Sequence, residues 1–236
     1  MKLKLIIIPF GGGNKYSYES IKKSMPPEIE LCCVELPGRG FRMDEELLTS
    51  VTALTDDIVK TIGNPKNFEY ALFGHCLGAL LSFTVAQKLV KVKPPLRLFV
   101  SGCGGPASFN EPKNLALTRD DIKRFLILFD VPLELANDES FIEMMEPIIT
   151  ADLTAHHSYQ YVPSLPLPSP ITVIQRDDYP IKEELLALWQ QETTIPIDYC
   201  QIHRSSYDAD LSTILIKGLS DQIHIESKYG PIVKDH

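Results

Sequence analysis

The chain has 236 residues, of which 44% are hydrophobic and 23% charged, and its formal net charge is −8 at pH 7. This composition suits a folded globule with one sizeable core, and its acidic balance supplies no basic face for a nucleic acid. No apolar run reaches the ~18 residues that a membrane-spanning helix needs.

In chain order, the first apolar run covers residues 5–10 and is interrupted by Pro9. It reads as a buried strand and is too short for a secretory leader, so a cytoplasmic, monomeric protein is expected. Apolar or β-branched runs bounded by turn residues predict strands over 4–8, 30–35, 70–73, 96–101, 171–175 and 198–202. Helical patterns fall between them, over 16–24, 50–61, 76–90 and 182–193. The alternation predicts an α/β fold with a mostly parallel central sheet and helices on both faces, residues 1–236 forming a single domain. Residues 112–163 break the rhythm. They carry helical patterns at 119–129, 139–145 and 147–159 with no strand between, which reads as a helical lid insertion. The polar residues 227–236 read as a loose tail.

Five cysteines occur, Cys32, Cys33, Cys76, Cys103 and Cys200, with no CxxC pair. An odd count without that spacing predicts neither a disulfide framework nor a zinc site, and no metal or other cofactor is expected. Cys76 stands apart because it lies in Gly74-His75-Cys76-Leu77-Gly78, between a predicted strand and a predicted helix. That is the setting of a nucleophile elbow, G-x-S-x-G with cysteine for serine. Such a turn points the nucleophile out of the sheet and aims the Leu77 N–H and the helix N-terminus at the reacting oxygen. The bland alternative is a glycine-rich turn around a buried thiol. Pro9-Phe10-Gly11-Gly12-Gly13 follows the first strand and matches neither a P-loop nor a dinucleotide-binding turn. In a hydrolase this position supplies the second oxyanion N–H, here that of Phe10.

Taken together, these segments resemble the type II thioesterases of non-ribosomal peptide and polyketide assembly lines. IPFGGG at residues 8–13 resembles their PYAGG loop, ELCCVELPGR at 30–39 their E-x-x-x-V-Q-L-P-G-R, and GHCLGALLSF at 74–83 their GHSMGALLAF. SGCGGP at 101–106 and Ala151-Asp152-Leu153 resemble two further segments, and 171–189 resembles the strand, acidic turn and tryptophan-bearing helix. The resemblance implies an α/β-hydrolase fold and action on acyl or aminoacyl groups held as thioesters on phosphopantetheine carrier proteins. It implies Cys76 as nucleophile and Asp178 as the acid that orients a histidine, with Asp177 in reserve. The family's G-G-H-F is replaced by Ile202-His203-Arg204-Ser205-Ser206-Tyr207, so Ser206 falls at the histidine position and His203 is the candidate base. His75 reads as structural.

Cysteine changes the expected chemistry. A free thiol ionises near pH ~8.5, and a helix N-terminus lowers that value, so Cys76 is expected to ionise partly without a histidine. Attack by a thiol on a thioester yields another thioester, a nearly thermoneutral exchange. Hydrolytic release is the first expectation. Acyl transfer between carrier thiols is the alternative, and a non-catalytic scaffold that binds carrier proteins is a third reading.

Overall fold

The computed structural model describes residues 3–109 and 117–220. Six strands form one sheet: β1 (Leu3–Ile8), β2 (Ile29–Cys33), β3 (Tyr70–His75), β4 (Leu98–Ser101), β5 (Ile171–Arg176) and β6 (Asp198–Ile202). Their order is β2-β1-β3-β4-β5-β6, and every pairing is parallel. The central strands are buried on both faces, as their continuous apolar runs require.

Helices α1 (Glu19–Ser24) and α8 (Tyr207–Leu219) cover one face, packing Ile21, Leu211, Leu215 and Leu219 on Leu5, Ile7, Phe73 and Phe99. Helices α2 (Val51–Ile62) and α3 (Leu77–Leu89) cover the other, with Leu54, Ile58, Leu80 and Phe83 against Ile6, Ile8 and Leu72. The short α7 (Glu183–Ala187) and the 3-10 turn after it, Leu188–Glu192, bring the fully buried Trp189 into this second core.

Among the described residues, three α-helices lie between β4 and β5: α4 (Arg119–Leu128), α5 (Leu133–Ala136) and α6 (Glu139–His157). Ile122, Leu126, Ala136, Ile142 and Ile149 give them a small core of their own. The C-terminal half of α6 belongs to the main body, since Ala155 sits in the core over α3.

Three expectations change. The patterns at 139–145 and 147–159 form one helix, α6, which runs through Pro147. Pro147 faces solvent, where the carbonyl it leaves unpaired meets water, and Ile142 and Ile149 hold the buried face on either side. The second strand stops at Cys33, short of residue 35. Helix α8 was not expected, although Leu211, Leu215 and Leu219 repeat at four-residue spacing. The start of the expected insertion at 112–116 and the tail at 227–236 lie outside the described residues.

Candidate active site

The sheet order reverses at β1, with β2 on one side and β3 on the other, so the loops after β1 and β3 open a crevice at the C-terminal edge. Cys76 stands there, between β3 and α3, with φ 53° and ψ −118°. Few non-glycine residues hold such a backbone, and a tight strand-to-helix turn imposes it here. The two flanking glycines make the turn feasible. A Cβ on Gly74 would lie 2.0 Å from the Gly78 carbonyl oxygen, and one on Gly78 would lie 2.2 Å from that of Ile8. Cys76 N–H donates to the Ser101 carbonyl at 2.8 Å, which ties the elbow to β4.

Burial pushes the Cys76 thiol up to about 11, against the pull of the Leu77 N–H, and the nearby Asp152 carboxylate adds to the rise. At pH 7 a thiol of that pKa is ionised to only about one part in ten thousand. The expectation of an unaided, partly ionised cysteine is therefore corrected. The helix N-terminus is present, but desolvation outweighs it, and attack by this sulfur requires a base.

His203 is turned to solvent, with its side chain 63% exposed. Its Nδ1 lies 2.8 Å from Asp177 Oδ2, and Asp177 Oδ1 accepts the Arg204 N–H at 3.0 Å. The hydrogen bond to Asp177 holds the imidazole above the usual histidine range. The expected acid, Asp178, is engaged elsewhere: it takes both Nε and Nη2 of Arg176, at 2.9 and 2.8 Å. The carboxylate that orients His203 is thus Asp177, the reserve. Residues 177 and 178 form a bend after β5, in which Asp178 folds back onto Arg176 while Asp177 meets His203 and Arg204 at the end of β6. Ser206, at the position where a histidine was expected, donates to Asp210 at 2.8 Å. Among the described residues, no hydrogen bond joins His203 to Cys76.

His75, beside the nucleophile, is buried with Nδ1 3.1 Å from Ser101 Oγ. Burial, with help from the Arg176 charge, pulls its pKa down to about 4, so the ring is neutral.

Cys76 opens into a cavity of about 210 Å³ walled by His75, Phe125, Leu128, Phe129, Gln175 and Arg176. A larger hollow of about 630 Å³ adjoins it and includes Phe10, Tyr18, Arg204 and Ser206. His75, Phe129 and Arg176 border both. Phe129, from the end of α4, stacks on Phe10 with ring centres 4.4 Å apart and meets His75 edge-on at 5.7 Å. Next to it, Asp130 binds Arg204 at 2.6 Å and Arg176 at 3.5 Å, fastening the insertion across the crevice.

The glycine loop after β1 is fixed by a contact that local sequence did not reveal. Asp152 on α6 and Arg39 after β2 form a two-bonded ion pair at 2.6 and 2.7 Å, with side chains 0% and 4% exposed. Asp152 also accepts the Gly12 N–H at 2.7 Å, and Arg39 reaches the Gly13 carbonyl at 3.3 Å. Phe10 closes the same loop by accepting the Gly13 N–H at 2.9 Å. The sequence offered two hints, both segments of the family resemblance, but nothing joined residues 39 and 152.

Among the described residues, no cluster of His, Cys, Asp and Glu is arranged to hold a metal ion, and no helix is long and apolar enough to cross a membrane. All five cysteines are free thiols.

A family model described as a thioesterase domain matches residues 3–213. The gramicidin S biosynthesis protein GrsT of Aneurinibacillus migulanus is 29% identical over 204 residues, covering 84% of this chain and 80% of its own. RedJ, a thioesterase from the prodiginine pathway of Streptomyces coelicolor, has a solved structure that superposes with a TM-score of 0.80 at 26% identity, covering 92% and 91% of the two chains. The type II thioesterase BorB of the borrelidin cluster, at 23% identity and a TM-score of 0.78 over 93% of each chain, shares the fold. The chain belongs to the thioesterase-domain family and is a hydrolase of the α/β-hydrolase fold.

Proposed function

We propose that the chain acts as a type II thioesterase of a non-ribosomal peptide or polyketide assembly line, taking acyl groups from phosphopantetheine carrier proteins. The observation that carries this reading is the strained elbow: a cysteine at φ 53° whose turn admits glycine alone on either side, lining a cavity of about 210 Å³.

In the first step His203, turned inward and oriented by Asp177, takes the Cys76 proton, and the sulfur attacks the thioester carbonyl. The N–H groups of Leu77 and Phe10 receive the charge on oxygen. The bond from carbon to the pantetheine sulfur then breaks, and that thiol leaves with a proton. In the second step water, deprotonated by His203 under the orientation of Asp177, attacks acyl-Cys76 and releases the acid. This requires the His203 loop to turn inward from its solvent-facing position, a movement that release of the Asp130–Arg204 pair permits.

A second reading has a specific observation behind it. The intermediate is itself a thioester, and once it has formed, return of His203 to its outward position leaves water without a base, so a second carrier thiol competes and acyl transfer is favoured. Intact-mass measurement after incubation with acyl-carrier protein tests both. Free acid with turnover supports hydrolysis, and a persistent acyl adduct on Cys76 that discharges to a second carrier supports transfer. No adduct and no turnover overturns the enzymatic reading.

A further inference from the structure

Three consecutive glycines, Gly11, Gly12 and Gly13, give the loop after β1 no stiffness of its own, since a residue without Cβ explores both halves of the φ range. Its conformation is nevertheless fixed peptide by peptide. The Gly12 N–H donates to Asp152 Oδ2 at 2.7 Å, the Gly13 N–H donates to the Phe10 carbonyl at 2.9 Å, and the Gly13 carbonyl accepts from Arg39 Nη1 at 3.3 Å. These are three successive peptide units, and the Asp152–Arg39 pair holds the first and the last. The anion meets an N–H and the cation meets a carbonyl, so each charge faces the matching end of a peptide dipole.

The other end of the loop lies on the elbow. A Cβ on Gly78 would be 2.6 Å from the Pro9 carbonyl oxygen, so the peptide unit that carries the Phe10 N–H is seated on the first turn of α3, two residues past Cys76. Asp152 is close enough for its charge to act on the Cys76 thiol. A buried ion pair is weak evidence of a stability role, because an apolar pair of similar volume often folds as well. What an apolar pair lacks is a hold on the Gly12 N–H and the Gly13 carbonyl.

We propose that Asp152 and Arg39 are positioning residues of the thioester reaction: by pinning the glycine loop they keep the Phe10 N–H aimed at the oxygen that becomes charged when Cys76 attacks. The inference rests on the reading of Cys76 as the acyl acceptor and Phe10 as an oxyanion donor, and it adds the groups that hold that donor still. Such a donor stabilises the transition state only if it is in place before charge develops.

Two electrophiles on the same sulfur separate this role from a structural one. Iodoacetamide is attacked at a saturated carbon: the C–S bond forms as iodide leaves, the thiol proton goes to solvent, and no oxyanion arises. Acetyl-pantetheine is attacked at a carbonyl whose oxygen takes the charge before the pantetheine thiol leaves with a proton. The variant is Arg39→Met with Asp152→Leu, which removes both contacts to the loop and strands no charge. Once shown to be folded by near-UV circular dichroism, it is expected to be alkylated at Cys76 at least as fast as wild type. It is expected to be acylated about 10²-fold more slowly at saturation, with KM little changed. A trifluoromethyl ketone analogue, whose carbonyl adds the Cys76 thiol, is expected to lose affinity by the same factor, while the matching thioether, which cannot add, binds as before. If the double variant does not fold, Asp152→Asn assayed below its melting temperature takes its place, with acylation about tenfold slower and alkylation undiminished. Acylation at the wild-type rate in the folded variant, or alkylation and acylation falling together, overturns the positioning role and leaves Cys76 in place. A wild-type enzyme that is alkylated but never acylated overturns the acyl-enzyme reading instead. The ketone then settles the positioning role alone: lost affinity in the variant upholds it, and equal affinity overturns it.

Discussion

Replacing Asp152 by asparagine isolates the charge in the knot that holds the glycine loop. Asparagine keeps the size and one carbonyl oxygen, so the Gly12 N–H retains an acceptor, but Arg39 loses its counter-ion. Both side chains are almost wholly shielded from water, so solvent does not take over the role of the carboxylate. Removing one partner of a buried pair costs about 3–5 kcal/mol, because a charge remains buried and unpaired. For a chain of this size each kcal/mol lowers Tm by about 2–4 °C, so Asp152→Asn is expected to melt roughly 10 °C below wild type in scanning calorimetry. Replacing both partners with apolar residues, Arg39→Met with Asp152→Leu, removes the stranded charge and is expected to recover much of that loss. The Asp152 charge also raises the Cys76 pKa, so alkylation of Cys76 by iodoacetamide at pH 8 is expected to quicken in Asp152→Asn. A melting point within 2 °C of wild type, with unaltered alkylation, refutes both the stability and the electrostatic role.

Four further outcomes follow from the same geometry. Cys76→Ala keeps the elbow and is expected to melt like wild type while forming no acyl adduct, and adduct formation in that variant disproves the nucleophile. Wild-type Cys76 alkylation is expected to rise about tenfold per pH unit beyond the ordinary thiol range toward about 11, because burial favours the protonated form; a plateau near pH 8.5 contradicts this. His203→Ala is expected to slow deacylation by roughly 10²–10⁴, the range of a lost general base. Asp177→Asn should follow it more closely than Asp178→Asn, and the reverse order, read in single-turnover deacylation, restores Asp178 as the acid. Phe129→Ala removes a side chain that borders both hollows and is expected to extend acylation to longer acyl chains, and unchanged chain-length dependence excludes Phe129 as the partition.

The central strands were readable because they are runs of buried, mostly apolar side chains, and the elbow because only glycine fits at positions 74 and 78. What escaped depends on contacts between distant segments. The buried Asp152–Arg39 pair spans 113 positions, and no local period announces it. Burial of the Cys76 thiol is likewise tertiary: the sequence shows a helix N-terminus but not the cavity that outweighs it. The exchange of roles between Asp177 and Asp178 depends on the bend after β5 that folds Asp178 back onto Arg176, and no local pattern announces it. Helix α8 carried a plain four-residue spacing that was passed over, while the joining of two helical patterns across Pro147 depended on that proline facing water.

The acyl cavity is assembled where the insertion meets the main sheet. One wall, Phe125, Leu128 and the following Phe129, rides on the end of α4, whose anchoring residues Ile122 and Leu126 belong to the insertion's own core, while Cys76 stands in the elbow after β3 and Gln175 on β5. Phe125 and Phe129 also meet the glycine loop, Phe10 and His75, so substitutions there couple to the catalytic frame, whereas changes at Ile122 or Leu126, inside the insertion's own core, act on stability nearly independently of the sheet. In evolutionary terms the wall and the catalytic frame change together, so substrate range shifts through paired substitutions across that contact.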